Sequence, residues 1–427
     1  APFGITLMVD AFSALMLLVV TGASAAALIA AKPSIDQQIE SARQPLFYSA
    51  WLLALAGLVG IVVAADAFNI FVFMEISSLA SYILIAGGPD RRALPAVFKY
   101  LMMGTIGATF YLIGVGLIYM MTGTLNLADI NARIGDVSDI NPLLVAAGFI
   151  TVGLALKAAV FPLHVWVPNA YTHAPHMVTA FLAACATKVA LYVLIRFDYM
   201  IFQGNLIDHV VQFSMFAMPL AILGILVASA VAMFEGHLKR LLASSSIAQI
   251  GYILLGASFV SVAGLSSSAM HLFNHALAKG GLFLGVACIA YHYRDLRLSQ
   301  LGGASTRMPW TCAAIVVCGL SLIGVPGTAG FISKWLLINA ALQSGSWGWV
   351  LVAIILVSSL MAVVYIWRIV EALYFQEPID GETQLSEAPI QLLLVTGAVA
   401  ILNIYFGLFP QVPLGRADST AVLLLEG

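Results

Sequence analysis

The chain has 427 residues, of which 62% are hydrophobic and 9% charged, with a formal net charge of −2 and a mean hydropathy of +1.01. A soluble protein carries about 25% charged residues, so the polar material is too scarce to clothe a soluble core, and the small net charge names no charged partner and nothing suggests nucleic acid. The apolar runs are long and unbroken, which excludes an outer-membrane barrel built from short alternating segments.

Hydropathy and helix breakers predict an all-α polytopic membrane protein of about 12 transmembrane helices. They fall near 5–31, 46–66, 68–87, 95–121, 142–163, 176–197, 206–234, 241–263, 267–291, 309–343, 347–375 and 390–412. The whole of 1–427 reads as one transmembrane domain, and the longest polar stretches, 129–141 and 376–388, are loop-sized. The chain opens at Ala1 and enters a span almost at once, without a basic leader and cleavage site, which reads as a processed or truncated start. Cys185, Cys288, Cys312 and Cys318 all fall inside spans without Cys-x-x-Cys spacing, so they read as packing residues and not as disulfide, zinc or iron–sulfur positions. Trp51 and Trp310, near span ends, read as interfacial belt anchors.

Basic residues predict the orientation. Lys32, Arg43, Arg91, Arg92, Lys99, Lys239, Arg240, Arg294, Arg297 and Arg307 fall in alternate loops, whereas the opposite loops and the tail hold Arg133, Arg196 and Arg416. By the positive-inside rule the first set faces the cytoplasm, so the first span starts outside and the chain ends outside. Five of the 18 Lys and Arg residues then remain inside spans: Lys157, Lys188, Lys279, Lys334 and Arg368. Arg368 is close enough to a span end to snorkel. The four lysines are not, and each such charge costs at least ~2.5 kcal/mol on insertion scales. Glu75 is an intramembrane acid, and Asp10, near a span end, reads as interfacial.

Two spans carry internal breaks. One reads LALKAAVFPLHVWVPNAYTHAPH, with Pro162, Pro168 and Pro175. The other reads LIGVPGTAGFISKWLL, with Pro326, Gly327 and Gly330 before Lys334. Broken helices at matching places in two halves mark inverted-repeat transporters, and backbone freed at membrane depth must face protein or water. A lysine adjoins each break.

In the stretch LFNHALAKGGLFLG, His271, His275 and Lys279 recur every fourth residue, so they share one helix face and drift by about 40° per step. Desolvation lowers a lysine's proton affinity and a nearby carboxylate raises it, so a buried lysine with a movable acid can load and unload a proton. Glu75 is the natural partner of Lys157, and histidines can bridge lysines near neutral pH. The opposing account is structural: an ion pair between helices for Glu75 and Lys157, a hydrogen-bonded packing residue for His271. Four lysines mid-span together with two breaks weigh against it. No nucleotide loop, haem-ligand pattern or iron–sulfur spacing is present, so neither a cofactor nor a metal site is expected.

GLALKAAVFPLHVWVPNAYTHAP, TKVALYVLIR, HLKRLLASSSIAQIGY, HLFNHALAKGGLFL and GLSLIGVPGTAGFISKWLL together resemble the antiporter-like membrane subunits shared by respiratory complex I and the multi-subunit Mrp cation/proton antiporters. The resemblance runs over nearly the whole chain. It implies a fold of fourteen helices containing two inverted five-helix repeats, of which this chain would lack the first two helices. The repeats would span 46–197 and 206–375. It further implies that Glu75 and Lys157 are the family's glutamate–lysine pair and Lys188 its connecting lysine. His271, His275 and Lys279 would form a relay, Lys334 would be the terminal lysine, and Lys239 and Arg240 a cytoplasmic pair.

TKVALYVLIR and PNAYTHAP look most similar to the D-type component of Mrp antiporters, while THAPHM departs from the family's PTP-like segment, placing His173 and His176 at the break either as extra protonatable sites or against polar loops. The expected function is therefore that of a proton-translocating subunit of a Mrp-type Na⁺/H⁺ antiporter in a bacterial inner membrane, beside other membrane subunits. A complex I-type pump, or a structural subunit with a silent channel, is the alternative.

Overall fold

The computed structural model describes residues 5–203, 207–377 and 386–426. Those residues are helical almost throughout, and eleven of their helices are long and apolar enough to cross a membrane. Part of the stretch expected as a loop at 376–388, and the expected boundary at 206, lie outside the described residues.

Helix α1 spans Ala11–Gln38, starting and ending later than the predicted 5–31. Asp10 sets the start through a capping box: its carboxylate accepts from the Ser13 amide at 2.8 Å, and the Ser13 hydroxyl accepts from the Asp10 amide at 3.1 Å. Leu7, just before it, is extended and bridges Ala64. Next come α2 (Gln44–Val63), α3 (Ala67–Ala86) and α4 (Ala93–Thr122). The polar stretch expected as a loop holds a short helix, α5 (Leu127–Ile134), because Asn126 caps it and Leu127, Ile130 and Ile134 form a buried stripe.

The fifth predicted span is α6 (Asn141–Ala158), followed by a separate helix α7 (Trp166–His173) and then α8 (His176–Phe197). Ala159 makes the break by taking a left-handed backbone at φ 58°, and the prolines only flank it. In the second half, α9 (Ile207–Phe234), α10 (Leu238–Ala257) and α11 (Val262–His292) precede a short α12 (Ala304–Arg307). The tenth predicted span divides into α13 (Pro309–Ile323) and α14 (Ala329–Gln343), with Gly324 and Gly327 at positive φ between them. The chain continues through α15 (Gly348–Tyr374), α16 (Ile390–Leu408) and an unforeseen α17 (Gln411–Glu426).

Three helices form the interior. The apolar windows of α8 and α10 are each 94% buried and that of α11 is 89% buried, whereas the outer spans are half buried or less. Two of these inner helices, α10 and α11, are among the least apolar spans. Lipid cannot satisfy hydroxyl, amide or ammonium groups, so the helices that carry them go inside and the most apolar ones face out. Helix α11 packs against α8, α10, α13, α14, α16 and α17.

Several polar residues sit elsewhere than their sequence positions suggested. Arg196, assigned above to a loop, is fully buried at the end of α8 and paired with Asp10, which is therefore a partner in an ion pair rather than a free interfacial acid. Its guanidinium also lies 5.0 Å from the Tyr192 ring. Lys239, also assigned to a loop, is buried in the first turn of α10. Trp51 is no belt anchor: it is fully buried, donates to Ser24 Oγ at 3.0 Å and stacks on Phe181 with ring centroids 4.8 Å apart. Trp310 is exposed, as a belt residue would be. Arg368 turns back to the carbonyls of Met233 and Glu235 at the end of α9 instead of snorkelling freely.

Removing one partner of a buried ion pair leaves the other charge without compensation, at a cost of about 3–5 kcal/mol. Asp10→Ala is therefore expected to lower the thermal midpoint of the purified protein markedly, and adding Arg196→Leu should recover part of the loss in a double-mutant cycle. Simple additivity of the two single effects would show the pair to be uncoupled.

Candidate functional site

The buried charges divide into one ion pair and a row of lysines and histidines held by neutral groups. Lys157, in the last turn of α6, donates to Glu75 Oε1 on α3 at 3.1 Å and to Ser78 Oγ, one turn further on, at 2.8 Å. The Lys157 side chain is 6% exposed but that of Glu75 is 27%, so the carboxylate reaches the outer flank of the bundle. Trp166 Nε1 takes up the Leu156 carbonyl at 3.1 Å, satisfying one of the acceptors that the end of α6 sets free. Beside Lys157 lies a cavity of about 30 Å³, lined by Ser77, Ser78, Ser81, Tyr100 and the α8 residues Ala186 and Ala190. It is polar on one side and has room for about one water.

Lys188 lies on α8, on the far side of that cavity's apolar wall, and donates to the Ala183 carbonyl in its own helix. It is within electrostatic reach of His275 and Lys279. Lys279 Nζ donates to the Leu242 carbonyl at 2.7 Å and to Ser245 Oγ at 2.5 Å, both on α10. His271 spans three helices: Nδ1 is 2.8 Å from Ser333 Oγ on α14 and Nε2 is 3.0 Å from Gln249 Oε1 on α10. His275, between them, is buried with no protein partner on either ring nitrogen among the described residues, and its ring lies 6.1 Å from that of His271, nearly parallel. The expected shared face of His271, His275 and Lys279 is present, but the three do not bond to one another.

Lys334 closes the row. Its ammonium donates to the Ile323 carbonyl at 2.8 Å and to Ser359 Oγ at 3.1 Å, and it lies 4.8 Å from the Tyr252 ring centre. Ile323 is the last residue of α13, so a cation caps a helix C-terminus where the unpaired carbonyls and the helix dipole favour one. The break supplies that carbonyl. Close approach across the break requires Gly330: a Cβ there would sit 1.8 Å from the Ser321 carbonyl oxygen, and the Gly330 amide donates to Ser321 Oγ at 3.1 Å.

Sequence reasoning missed Ser78, Ser245, Gln249, Ser333 and Ser359, the neutral partners of the charges. One signal was available for α10. Ser245, Gln249 and Tyr252 recur at i, i+4 and i+7, which is a polar stripe along one face of the helix. Hydroxyls next to a carbonyl-bonding turn carry no comparable signal. Of the two histidines at the α7–α8 junction, His173 Nδ1 meets Asp90 Oδ2 at 2.8 Å, while His176 is half-buried, with its Nδ1 buried and unpartnered among the described residues.

Residues 64–362 match the family described as NADH:quinone oxidoreductase/Mrp antiporter, transmembrane. The chain belongs to that family. This antiporter-like protein is 41% identical over 376 residues to NADH-quinone oxidoreductase subunit N of Desulforudis audaxviator, covering 88% of this chain and 74% of that one. It is 29% identical over 410 residues to the D component of the Na(+)/H(+) antiporter of Alkalihalophilus pseudofirmus, covering 95% and 81%. A chain in the structure of the Mrp complex from Dietzia sp. superposes with a TM-score of 0.90 at 27% identity, over 99% of this chain and 85% of that one. A chain of the membrane-bound sulfane sulfur reductase, an archaeal respiratory membrane complex, also superposes with a TM-score of 0.90, at 30% identity, over 99% and 84%.

Because a Cβ at residue 330 would collide with backbone, Gly330→Ala must push α13 and α14 of this family member apart, and such overpacking costs about 1–3 kcal/mol or more. The variant is expected to accumulate poorly and to melt early. Gly148→Ala, where no atom lies within 4 Å of the added methyl, should behave as wild type. Equal stability of the two variants would refute the tight crossing.

Proposed function

We propose that the protein is a proton-translocating subunit of a multi-subunit membrane complex, and that Glu75, Lys157, Lys188, His271, His275, Lys279 and Lys334 form its proton path. The observation that carries this reading is the imbalance of buried charge. Among the described residues, only Lys157 of these lysines has a carboxylate partner; Lys188, Lys279 and Lys334 are held by carbonyls and hydroxyls. A structural pair would be neutralised by its partner. A lysine held by neutral oxygens can exist as ammonium or amine, and its state follows the charge of its neighbours. Glu75 can then act as the movable counter-charge that loads Lys157, with water in the adjoining cavity as carrier.

The position of the broken helices supports two inverted five-helix repeats, since counting from α2 and from α9 the interrupted helix is the fourth of five in each (α5, α7 and α12 apart). The two lysines lie on opposite sides of their breaks, Lys157 before and Lys334 after. The partly exposed Glu75 supports a lateral neighbour, because an acid on the flank of a membrane bundle needs a polar or protein cover. We assign the protein to a bacterial cytoplasmic membrane, with the basic face in the cytoplasm and the chain end outside.

Two assemblies fit this site. Likeness in fold to the Mrp complex favours a component exchanging protons for Na⁺; the 41% identity to a NADH-quinone oxidoreductase subunit N favours a redox-driven pump of the complex I type. Purification in mild detergent should yield a hetero-oligomer in either case. Small hydrophobic partners and Na⁺-dependent proton exchange would identify the first, and flavin and iron–sulfur partners the second. A stable, exchanging monomer would overturn both.

Glu75→Gln removes the counter-charge of Lys157 while keeping the side chain's shape. Proton transport in vesicles, normalised to assembled complex, is expected to fall by at least about tenfold. Lys279→Ala should do more harm than His275→Ala, since a water can replace an imidazole in a polar site but cannot supply a titratable amine. The double variant should resemble Lys279→Ala alone, as for steps in series. Wild-type normalised rates in all of these variants would refute the path.

A further inference from the structure

The charged cluster at the basic end of α7, α8 and α10 has no part in the row of lysines described so far. Asp90 sits in the turn between α3 and α4, and its carboxylate accepts from the Arg92 amide at 2.9 Å and from Arg92 Nε at 3.1 Å. Its other oxygen meets His173 Nδ1 at the end of α7. The side chains of Asp90 and His173 are 31% and 18% exposed, so both touch water while joined to each other. Behind them, Lys239 is buried at the start of α10 and donates to the Ala174 carbonyl at 2.7 Å. His176 on α8 and His237 before α10 each keep a buried Nδ1 without a protein partner among the described residues. Asp295, from the turn after α11, also faces this cluster and pairs with Arg297 at 3.6 Å, whose backbone bridges that of His237, and Gln38 at the end of α1 accepts from the His176 amide at 3.2 Å.

Lys239 lies on the same helix as the acceptors of Lys279, one to two turns closer to its start. Leu242 and Ser245, which hold Lys279, follow it by three and six residues, or about 4.5 and 9 Å along the helix axis. One helix thus carries a buried lysine near the membrane surface and the acceptors of the central lysine one to two turns deeper. A neutral glutamine would cap the Ala174 carbonyl equally well, so hydrogen bonding alone gives no reason for an ammonium there.

We infer that this cluster is the site where protons pass between bulk water and the buried row, with Asp90 and His173 exchanging them at the surface and Lys239 handing them along α10 to Lys279. The inference rests on the proton-translocation reading of the row. The imidazole of His173, its Nδ1 held by Asp90, takes a proton from water at Nε2 and gives it up from the same nitrogen; the Lys239 amine accepts it and returns to amine when Lys279 is loaded. No electron moves and one proton passes per cycle. Burial works against the Asp90 carboxylate, but hydrogen bonds from Arg92 and His173 hold its pKa at about 2, so it remains an anion that attracts protons to the mouth. Burial, with Lys239 beside it, pushes His237 down to about 4, which leaves its imidazole neutral at working pH. His237 lies within electrostatic reach of both His173 and Lys239, the two groups it would connect.

The test uses the assembled complex in vesicles with the basic face outward, and transport normalised to complex. His173→Gln is expected to slow transport about tenfold near neutral pH and to be rescued by imidazole added outside. Lys239→Gln, which preserves the bond to Ala174, should slow transport without rescue by imidazole. Asp90→Asn keeps the surface turn foldable and should give a weaker form of the His173→Gln defect. If Glu75→Gln stops transport while His173→Gln and Lys239→Gln run at the wild-type rate, the exchange site is elsewhere. A slow His173→Gln variant that added imidazole does not rescue means a structural role and equally overturns the inference. If Glu75→Gln itself transports normally, it is the proton-path reading that fails.

Discussion

Every polar group placed in the hydrocarbon must find its partner within the protein, and the arrangement of this bundle follows from that constraint. It sends α8, α10 and α11 to the interior and leaves the most apolar helices outside. It also determines how the lysines are held. Lys279 on α11 reaches α10, Lys334 on α14 reaches α13 and α15, and His271 on α11 reaches α10 and α14. Each of these three side chains therefore ties helices together, whereas Lys188 bonds within its own helix.

The broken helices turn a structural liability into a set of acceptors. Ending α13 at Ile323 frees carbonyls that an unbroken helix would have consumed, and Lys334 occupies one of them. At α6 the freed Leu156 carbonyl goes to Trp166 instead, which leaves Lys157 to Glu75 and Ser78. The two breaks are thus chemically unequal. One lysine answers to an acid on the flank of the bundle and the other to a helix end and an aromatic face. A shift at the flank alters a charge, whereas a shift at the second break alters a dipole and the space around Gly330.

Kinship with both a quinone oxidoreductase component and a Na(+)/H(+) antiporter component is consistent with such a site. Nothing in the row of lysines refers to a quinone, a flavin or a sodium ion. Glu75 lies on the flank of the bundle and the basic-face cluster at one end of it, apart from the interior row.

Hydropathy by itself was enough to determine the class, the approximate spans, the two breaks and the intramembrane charges Glu75, Lys157, Lys188, His271, His275, Lys279 and Lys334. These are local properties: a window of about 20 residues either is apolar or is not, and a lysine in its middle is conspicuous. Pairing across the bundle decided the rest. Asp10 and Arg196 are 186 residues apart, and each alone resembles a residue at the end of a span. Lys239 looked like a loop cation beside Arg240 until α7 and α8 were seen to cover it, and Trp51 looked like a belt residue until Phe181 was found stacked upon it. Ala159, with no glycine or proline to announce it, makes the first break because the surrounding helices hold it in a backbone state it would not choose in isolation. Burial and partnership belong to the packed bundle, since they depend on which helix faces which, and no stretch of sequence carries that information alone.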